Sequence, residues 1–575
     1  EAELSRRYST GIRTVFRRTA VGLELMASPL QTASIAAPGF YGLNLQESSI
    51  TLSSGFALKA QKCVIDKYGR IGARRGWTTV NSAVNTDLGA GNAVEFIFEL
   101  VDGGSNQVLS AGNNQLFVGT TTMTTKTVRN TTNSGNATYT ITGNNWQGAA
   151  MSYGDVTDFQ PHVYLAQAAH PMLVYHELPV SGNPFSSHDS GTFGYQRVGD
   201  DAKLPSNHST ATFMPSWVIS AYGRIWCGGI SGDTQTVYFS DLLAGTDFLN
   251  GSAGYLNLQE VLPNGDPVVA AAAHNGYIIF FGRKNIAIYA NPLDTGALTL
   301  VEVIYNVGCI ARDSVQNIAT DVLFLSDSGV RSLQRVVQEK SMPMRDISKN
   351  VRDELMAAVF SETDLAKIKS VYYERDAIYL LTLPTTKFVY CFDTRAPLQD
   401  GSMRVTVWDS IEPKSFFVTQ ARDLYLGKPG YIGKYYGYAD NTSSYRLAYY
   451  TNYFDFDAST NLKILKKIGW VLIGGTNQSV AIKWGFDYSE SYQATTYALD
   501  ASTVYEYNNS TVDTIPGSSE YNIAEYSSGI VLDRFNINAG GQGTVMQLGL
   551  EADINGNPVS IQKIDVAIKQ GKTLV

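Results

Sequence analysis

The chain has 575 residues, roughly three to four domain-equivalents at about 150 residues each, which excludes a disulfide-stapled mini-fold. Hydrophobic residues make up 44% and charged residues only 17%, against about 25% charged in ordinary globular domains. Gly (52), Tyr (34) and dense Ser, Thr and Asn fill the deficit, a mixture that suits short strands with tight turns and argues against an all-helical protein. The 44 basic residues against 52 acidic ones leave a net charge of −8, which argues against a protein that wraps DNA tightly but not against one that lets DNA pass.

In chain order, residues 1–25 stand apart. Arg6, Arg7, Arg13, Arg17 and Arg18 sit there with Ser and Thr and without the apolar core of a secretory signal. The character changes at Met26, so residues 1–25 are expected to be a basic extension upstream of the natural start. Residues 26–90 read as an N-terminal segment that joins a repetitive region. From 91 to 447 the chain repeats one unit: two short apolar strands connected by a Gly-, Asn- or Asp-bearing turn. Examples are Tyr277-Ile-Ile-Phe-Phe-Gly with Asn285-Ile-Ala-Ile-Tyr, and Ala377-Ile-Tyr-Leu-Leu-Thr-Leu with Lys387-Phe-Val-Tyr-Cys-Phe. The pairs recur at about the 40–60 residue size of a four-stranded propeller blade. A single sandwich rarely grows so long, so a β-propeller is predicted.

Thr- and Asn-rich residues 120–146 and Ser-, Gly- and His-bearing residues 181–212 read as surface insertions. One helix is expected after Pro343, capped by Ser348, with Ile347, Val351, Leu355 and Val359 on one face. Residues 448–575 carry period-two strands, including Leu462–Ile473, Val480–Asp487 and Val559–Ile568, and predict a separate antiparallel sandwich-like domain. The predicted class is therefore all-β: a β-propeller with inserted loops and a C-terminal antiparallel β-sandwich-like domain. The longest apolar run, Val268–Ala273, is strand-sized and far short of the about 18 residues a membrane helix needs, so no membrane span is expected.

No phosphate loop, nucleophile elbow, zinc helix or calcium loop is present. Cys63, Cys227, Cys309 and Cys391 form no CxxC pair and read as buried small hydrophobes. Of the six histidines, His176 precedes Glu177 but lacks the second histidine a zinc helix requires. Ser187-His-Asp-Ser-Gly-Thr-Phe resembles the Asp-box turn of sialidase propellers, yet it occurs once and lacks the tryptophan. No catalytic residue, metal or cofactor is predicted and the chain is expected not to be an enzyme, although a carboxylate pair of the glycosidase kind is not excluded by sequence. Aromatics such as Tyr435, Tyr436, Tyr438, Tyr449, Tyr450 and Tyr453 are expected to be buried or inter-subunit.

Several segments resemble the tail nozzle proteins of short-tailed bacteriophages, also called packaged-DNA stabilisation or tail tubular proteins. Gly39-Phe-Tyr-Gly-Leu-Asn-Leu-Gln-Glu-Ser, Gly55-Phe-Ala-Leu-Lys-Ala-Gln-Lys-Cys-Val-Ile-Asp and Gly69-Arg-Ile-Gly-Ala-Arg-Arg-Gly-Trp are similar to the family's opening segment, with Gln61 or Lys62 near its usual Asn. Arg224-Ile-Trp-Cys-Gly-Gly through Asp247-Phe, and Gly308-Cys-Ile-Ala-Arg-Asp-Ser-Val through Leu323-Phe-Leu-Ser-Asp-Ser-Gly-Val-Arg, are similar to two of its blades. The likeness covers about residues 38–440.

It implies a structural virion protein in the phage tail, assembled in the host cytoplasm as a homo-hexameric ring below the adaptor (head-to-tail connector) protein. Tail fibres or spikes are implied as further partners, and double-stranded DNA passes through without sequence-specific binding. Arg70, Arg74 and Arg75 form the one basic cluster beyond residue 25 and are candidates for adaptor or inter-subunit contact, with pairing to acids of the same subunit as the alternative. The competing reading is a carbohydrate-binding or polysaccharide-degrading propeller. A third, a propeller adaptor of cellular origin, has little in its favour.

Overall fold

The structure, a computed structural model, describes residues 30–49, 51–101, 106–129, 138–151, 161–176, 195–197, 203–209, 211–318, 321–334, 347–475, 478–499 and 530–573. The basic extension, the Asp-box-like turn at 187–193, Pro343 and most of 181–212 lie outside them.

The regular structure of the described residues is almost entirely strand, with one short α-helix, and most of the strands form a β-propeller. Blade 1 runs through Phe96–Leu100, Gln107–Gly112, Gln115–Val118 and Thr124–Lys126. Blade 2 is built on Gln147–Met151, His162–Ala166, Leu173–His176 and Tyr195–Arg197. Blade 3 comprises Trp217–Ala221, Arg224–Ile230, Asp233–Phe239 and Gly254–Asn257, and blade 4 comprises Val268–His274, Tyr277–Gly282, Asn285–Ala290 and Thr299–Tyr305. A three-stranded sheet, blade 5, holds Gln316–Ile318, Asp321–Ser326 and Gly329–Ser332. Blade 6 holds Lys369–Tyr373, Ile378–Leu383, Phe388–Asp393 and Arg404–Trp408. In blade 7, Phe416–Val418, Leu424–Lys428 and Tyr431–Tyr435 are joined by Trp77–Thr79 from near the start of the chain. Six blades of at least four strands and one of three thus succeed each other, and their first strands neighbour one another in cyclic order from blade 1 back to blade 1.

Local chemistry explains the hairpins. Between Val268–His274 and Tyr277–Gly282 the turn is Asn275-Gly276, both at positive φ (48° and 81°), and His274 faces Tyr277 across it. Two left-handed residues give the turn whose twist matches the flanking strands, and Asn and Gly are the residues that tolerate it. The inner strands bury both faces because neighbouring blades cover them: Ile278, Phe280 and Ala287 pack with Trp226 and Val237 of blade 3, while Ile279, Phe281 and Ile286 pack with Val322 and Phe324 of blade 5. Strands buried on two sides read as continuous apolar runs, which is how blade 4 reads. Trp77–Thr79 closes the ring by pairing with Tyr431–Tyr435, a join between distant parts of the chain that leaves that edge of blade 7 paired.

The second unit is a β-sandwich. Its first sheet centres on two 15-residue strands, Asn461–Gly475 and Val559–Thr573, paired along their length and flanked by Leu30–Ala36 and Ile530–Ile537. Its second contains Phe56–Gln61, Tyr445–Thr451, Met546–Ile554, Ser479–Phe486 and Gln493–Ala498. This sheet continues into blade 6 through Gly42–Leu43 and Arg404–Trp408. The boundary expected at 447/448 lies inside the strand Tyr445–Thr451, and residues 30–73 of the joining segment contribute strands to the sandwich. One apolar core runs from blade 5 (Leu323, Leu325) through blade 6 (Tyr379, Leu381) into the sandwich (Trp470, Ile482, Leu548).

The helix occupies Arg352–Phe360 after a short turn at Lys349–Val351. Ile347, Val351, Leu355 and Val359 are all buried, as the spacing predicts. Ser348 does not cap it. Its side chain makes no cap hydrogen bond; Ser348 Oγ instead accepts from the Val330 amide of blade 5 (3.0 Å), because burial places it against a strand whose N–H must be satisfied. The stretch 120–146, expected as a surface insertion, also departs from that reading. Thr124–Lys126 completes blade 1, Val128–Arg129 and Thr138–Tyr139 extend blade 2, and Trp146 is buried; β-branched Thr and Val suit strands.

Candidate functional site

The three arginines singled out by the sequence lie where the sandwich hands the chain to the propeller. Arg74 comes directly after Ile71–Ala73 of the sandwich and precedes Trp77–Thr79 of blade 7. Its side chain is fully buried, and its guanidinium grips Asp440 with two bonds (Nη1–Oδ1 2.8 Å, Nη2–Oδ2 2.6 Å). It also donates to Ser410 Oγ (2.9 Å) and lies 4.1 Å from the Tyr445 ring centre. Burial opposes the charge, but the Asp440 carboxylate outweighs it and holds the guanidinium above its usual pKa. Arg74 therefore offers no surface to a partner molecule. Arg75 Nε lies 3.9 Å from Asp376 Oδ2, and Arg70 Nε 3.9 Å from Asp66 Oδ2 with its guanidinium over Tyr68. Each arginine thus has an acid of its own chain beside it, and only Arg70 and Arg75 keep some exposed surface.

A second constellation, which sequence reasoning missed, sits on the propeller axis. A cavity of about 310 Å³ is lined by the first strands of blades 1, 2, 5, 6 and 7, with Glu95, Trp146, Asp313 and Lys369 among its walls. An adjoining cavity of about 250 Å³ shares Glu95 and Lys369 and adds Asn145, Lys367 and Lys414. Between them, Arg312 donates to Asp313 (Nε–Oδ1 3.0 Å, Nη2–Oδ2 2.7 Å), to the Ser216 carbonyl (2.7 Å) and to Asn145. Lys369 Nζ donates to Asp313 Oδ2 (2.5 Å) and to Asn145 Oδ1. Asn145 in turn donates to the Ala366 carbonyl (2.7 Å). This network ties residues beside blades 2, 3, 5 and 6 together at the centre of the ring.

Burial lowers the Lys369 pKa; Asp313 opposes the shift and Arg312 adds to it. Burial alone would raise Asp313, but the two cations hold it below the usual carboxylate range. The only sequence signal was weak: the charged pair Arg312-Asp313 after the apolar run Cys309–Ala311. The four cysteines are buried free thiols, as expected; burial pushes Cys309 up to about 11. Among the described residues no group of three or more His, Cys, Asp or Glu is placed to hold a metal, and no helix is long and apolar enough to cross a membrane.

A third feature is the outer rim of blades 3 and 4. The edge strand Thr299–Tyr305 exposes Leu300 (45%), Val301 (53%) and Tyr305 (57%), and the loop before it exposes Leu293 (65%). Thr295 Oγ1 donates to the Ser252 carbonyl (3.2 Å), which ties that loop to the edge of blade 3, where Leu249 and Tyr255 are also exposed. Of the aromatics expected to be buried or inter-subunit, Tyr435, Tyr449 and Tyr450 are buried and Tyr436 is exposed.

No family model matches the chain, and no curated protein matches it either. Among solved structures it is similar to PorZ, a bacterial surface component of the type-IX secretion system of Porphyromonas gingivalis, at 9% identity and TM-score 0.31 over 61% of this chain and 36% of that one. It is also similar to the extracellular domain of the hybrid two component system BT4673 from B. thetaiotaomicron, at 10% identity and TM-score 0.27, covering 71% of this chain and 57% of that one. A third is the WD40 domain of Neurospora crassa Pan2, at 10% identity and TM-score 0.24, covering 66% of this chain and 89% of that one. The chain spans less than two thirds of the length of the first two.

Proposed function

We propose that this chain is a non-enzymatic structural subunit of a short-tailed phage virion, the tail nozzle, which forms a hexameric ring below the adaptor, retains packaged DNA and conducts it during ejection. The observation that carries the reading is the apolar rim of blades 3 and 4. Large apolar side chains on an unpaired sheet edge are costly to leave in water and invite edge pairing, so they fit a subunit whose rim is covered in an assembly. A chain carrying −8 overall also suits a conduit, because each neutralised phosphate would add salt-dependent adhesion to the cargo. The order of nozzle-like segments along residues 38–440 supplies the rest of the reading.

Electron microscopy of the purified chain, alone and mixed with adaptor rings, tests it. Six-fold rings, or six copies seated on the adaptor, support the proposal. A particle that stays monomeric or trimeric, ignores the adaptor and degrades or binds a polysaccharide instead makes it a carbohydrate-active propeller.

A further inference from the structure

We propose that Lys369 and Asn145 join in an intramolecular isopeptide bond, a covalent staple at the centre of the propeller, with Asp313 as the base. The three side chains meet at one atom. Lys369 Nζ donates both to Asn145 Oδ1 and to Asp313 Oδ2 (2.5 Å), so a single nitrogen touches an amide and a carboxylate at once. Oδ1 is bonded to Cγ, so the nitrogen stands within about 3.5 Å of the carbon it attacks, the spacing of a near-attack pair. Arg312 Nη2 donates to the same Oδ1 (3.2 Å), where negative charge collects when an amine adds to an amide. Asn145 Nδ2 donates to the Ala366 carbonyl (2.7 Å), which holds the amide in place. Lys369 and Arg312 are buried and the Asp313 side chain is 14% exposed, a shielding from water that strengthens each of these contacts.

An amine is a nucleophile only without its extra proton. Burial lowers the Lys369 pKa toward that form, and the two cations keep Asp313 ionised and able to accept. Asp313 Oδ2 takes a proton from the ammonium; the Nζ lone pair then forms the bond to Cγ while the carbonyl pair moves onto Oδ1 beside Arg312. When that pair returns, the Cγ–Nδ2 bond breaks. The new amide keeps one of the three Nζ hydrogens and the other two leave with Nδ2 as an ammonium ion, so no oxidant or other reagent is consumed. Asn145 and Lys369 both line the cavity of about 250 Å³, which gives that ion a way out. The product also relieves buried charge, because Arg312 and Asp313 remain one to one where two cations shared one acid. The staple joins residues 224 apart in the chain and ties the segment before blade 2 to the first strand of blade 6. This inference does not depend on the nozzle reading.

The test is intact mass spectrometry of the full chain under denaturing conditions, followed by peptide mapping. The unaltered chain is expected to be lighter than its sequence by one ammonia and to yield a branched peptide that joins the Asn145 and Lys369 segments, with trypsin unable to cut after Lys369. Lys369→Arg keeps the cation and removes the nucleophile, and Asp313→Ala removes the base. Each should restore the full sequence mass, give two separate linear peptides and lower the melting temperature. The unaltered chain decides the matter if a variant does not fold. Full sequence mass with linear peptides at both positions, an ammonia loss that maps instead to a linear peptide such as the one holding Asn275-Gly276, or a branched peptide formed in undiminished yield by Asp313→Ala would each overturn the proposal. The four side chains would then be a hydrogen-bonded network and nothing more.

Discussion

Single residues hold the two units together through buried charge. Because Arg74 is fully buried on Asp440, removing the acid strands a buried cation without its counter-charge, a loss typically worth about 3–5 kcal/mol. Asp440→Ala should therefore lower the urea midpoint by a corresponding amount, and a change within error of the parent would show that the pair is dispensable. Glu551 makes a pH-dependent counterpart. Burial works against its charge, but the Tyr450 hydroxyl, Lys483 and Arg446 bring its carboxyl down to about 2 from an ordinary 4.5. With the folded value below the unfolded one, the stability this group lends is complete above about pH 4.5 and is lost as pH falls through about 2. Melting temperature measured down the acid limb should fall less steeply in Glu551→Gln than in the parent; parallel limbs would remove Glu551 as a cause.

At the scale of elements, the propeller depends on the strand Trp77–Thr79 brought from the start of the chain to blade 7. Val80, just past it, donates its amide to the Ile432 carbonyl (2.8 Å). Val80→Pro deletes that donor, so amide exchange is expected to quicken across Leu424–Tyr435 while blades 3 and 4 keep their protection. Uniform protection in the variant would mean that the ring does not rely on this closure. The blades themselves were legible because hairpin signals are local: turns such as Asn275-Gly276 and the apolar runs on either side declare paired strands without reference to the rest of the molecule. The helix face was legible for the same reason, from Ile347, Val351, Leu355 and Val359. Its cap was not, since what Ser348 bonds is decided by a strand of blade 5 packed over it.

At the scale of the molecule, what could not be read is what closes only after folding. Leu30–Ala36 pairs with Val559–Thr573, opposite ends of the chain, so no local pattern announces that the joining segment belongs to the sandwich. Arg312, Asp313, Lys369 and Asn145 are spread over more than 200 residues and become a cluster only when the ring of blades is complete. Sequence left Arg74 open between contact with another molecule and pairing within the chain, because it does not display Asp440 beside it. The rim of blades 3 and 4 carries the claim about function at this scale, and sedimentation velocity of the purified chain beside the double variant Leu300→Asp, Val301→Lys measures it directly. The account predicts a concentration-dependent hexamer for the unaltered chain and a monomer of unchanged melting temperature for the variant. A chain that sediments as a monomer at every concentration, with or without adaptor rings, or a variant that assembles as well as the parent, would contradict it.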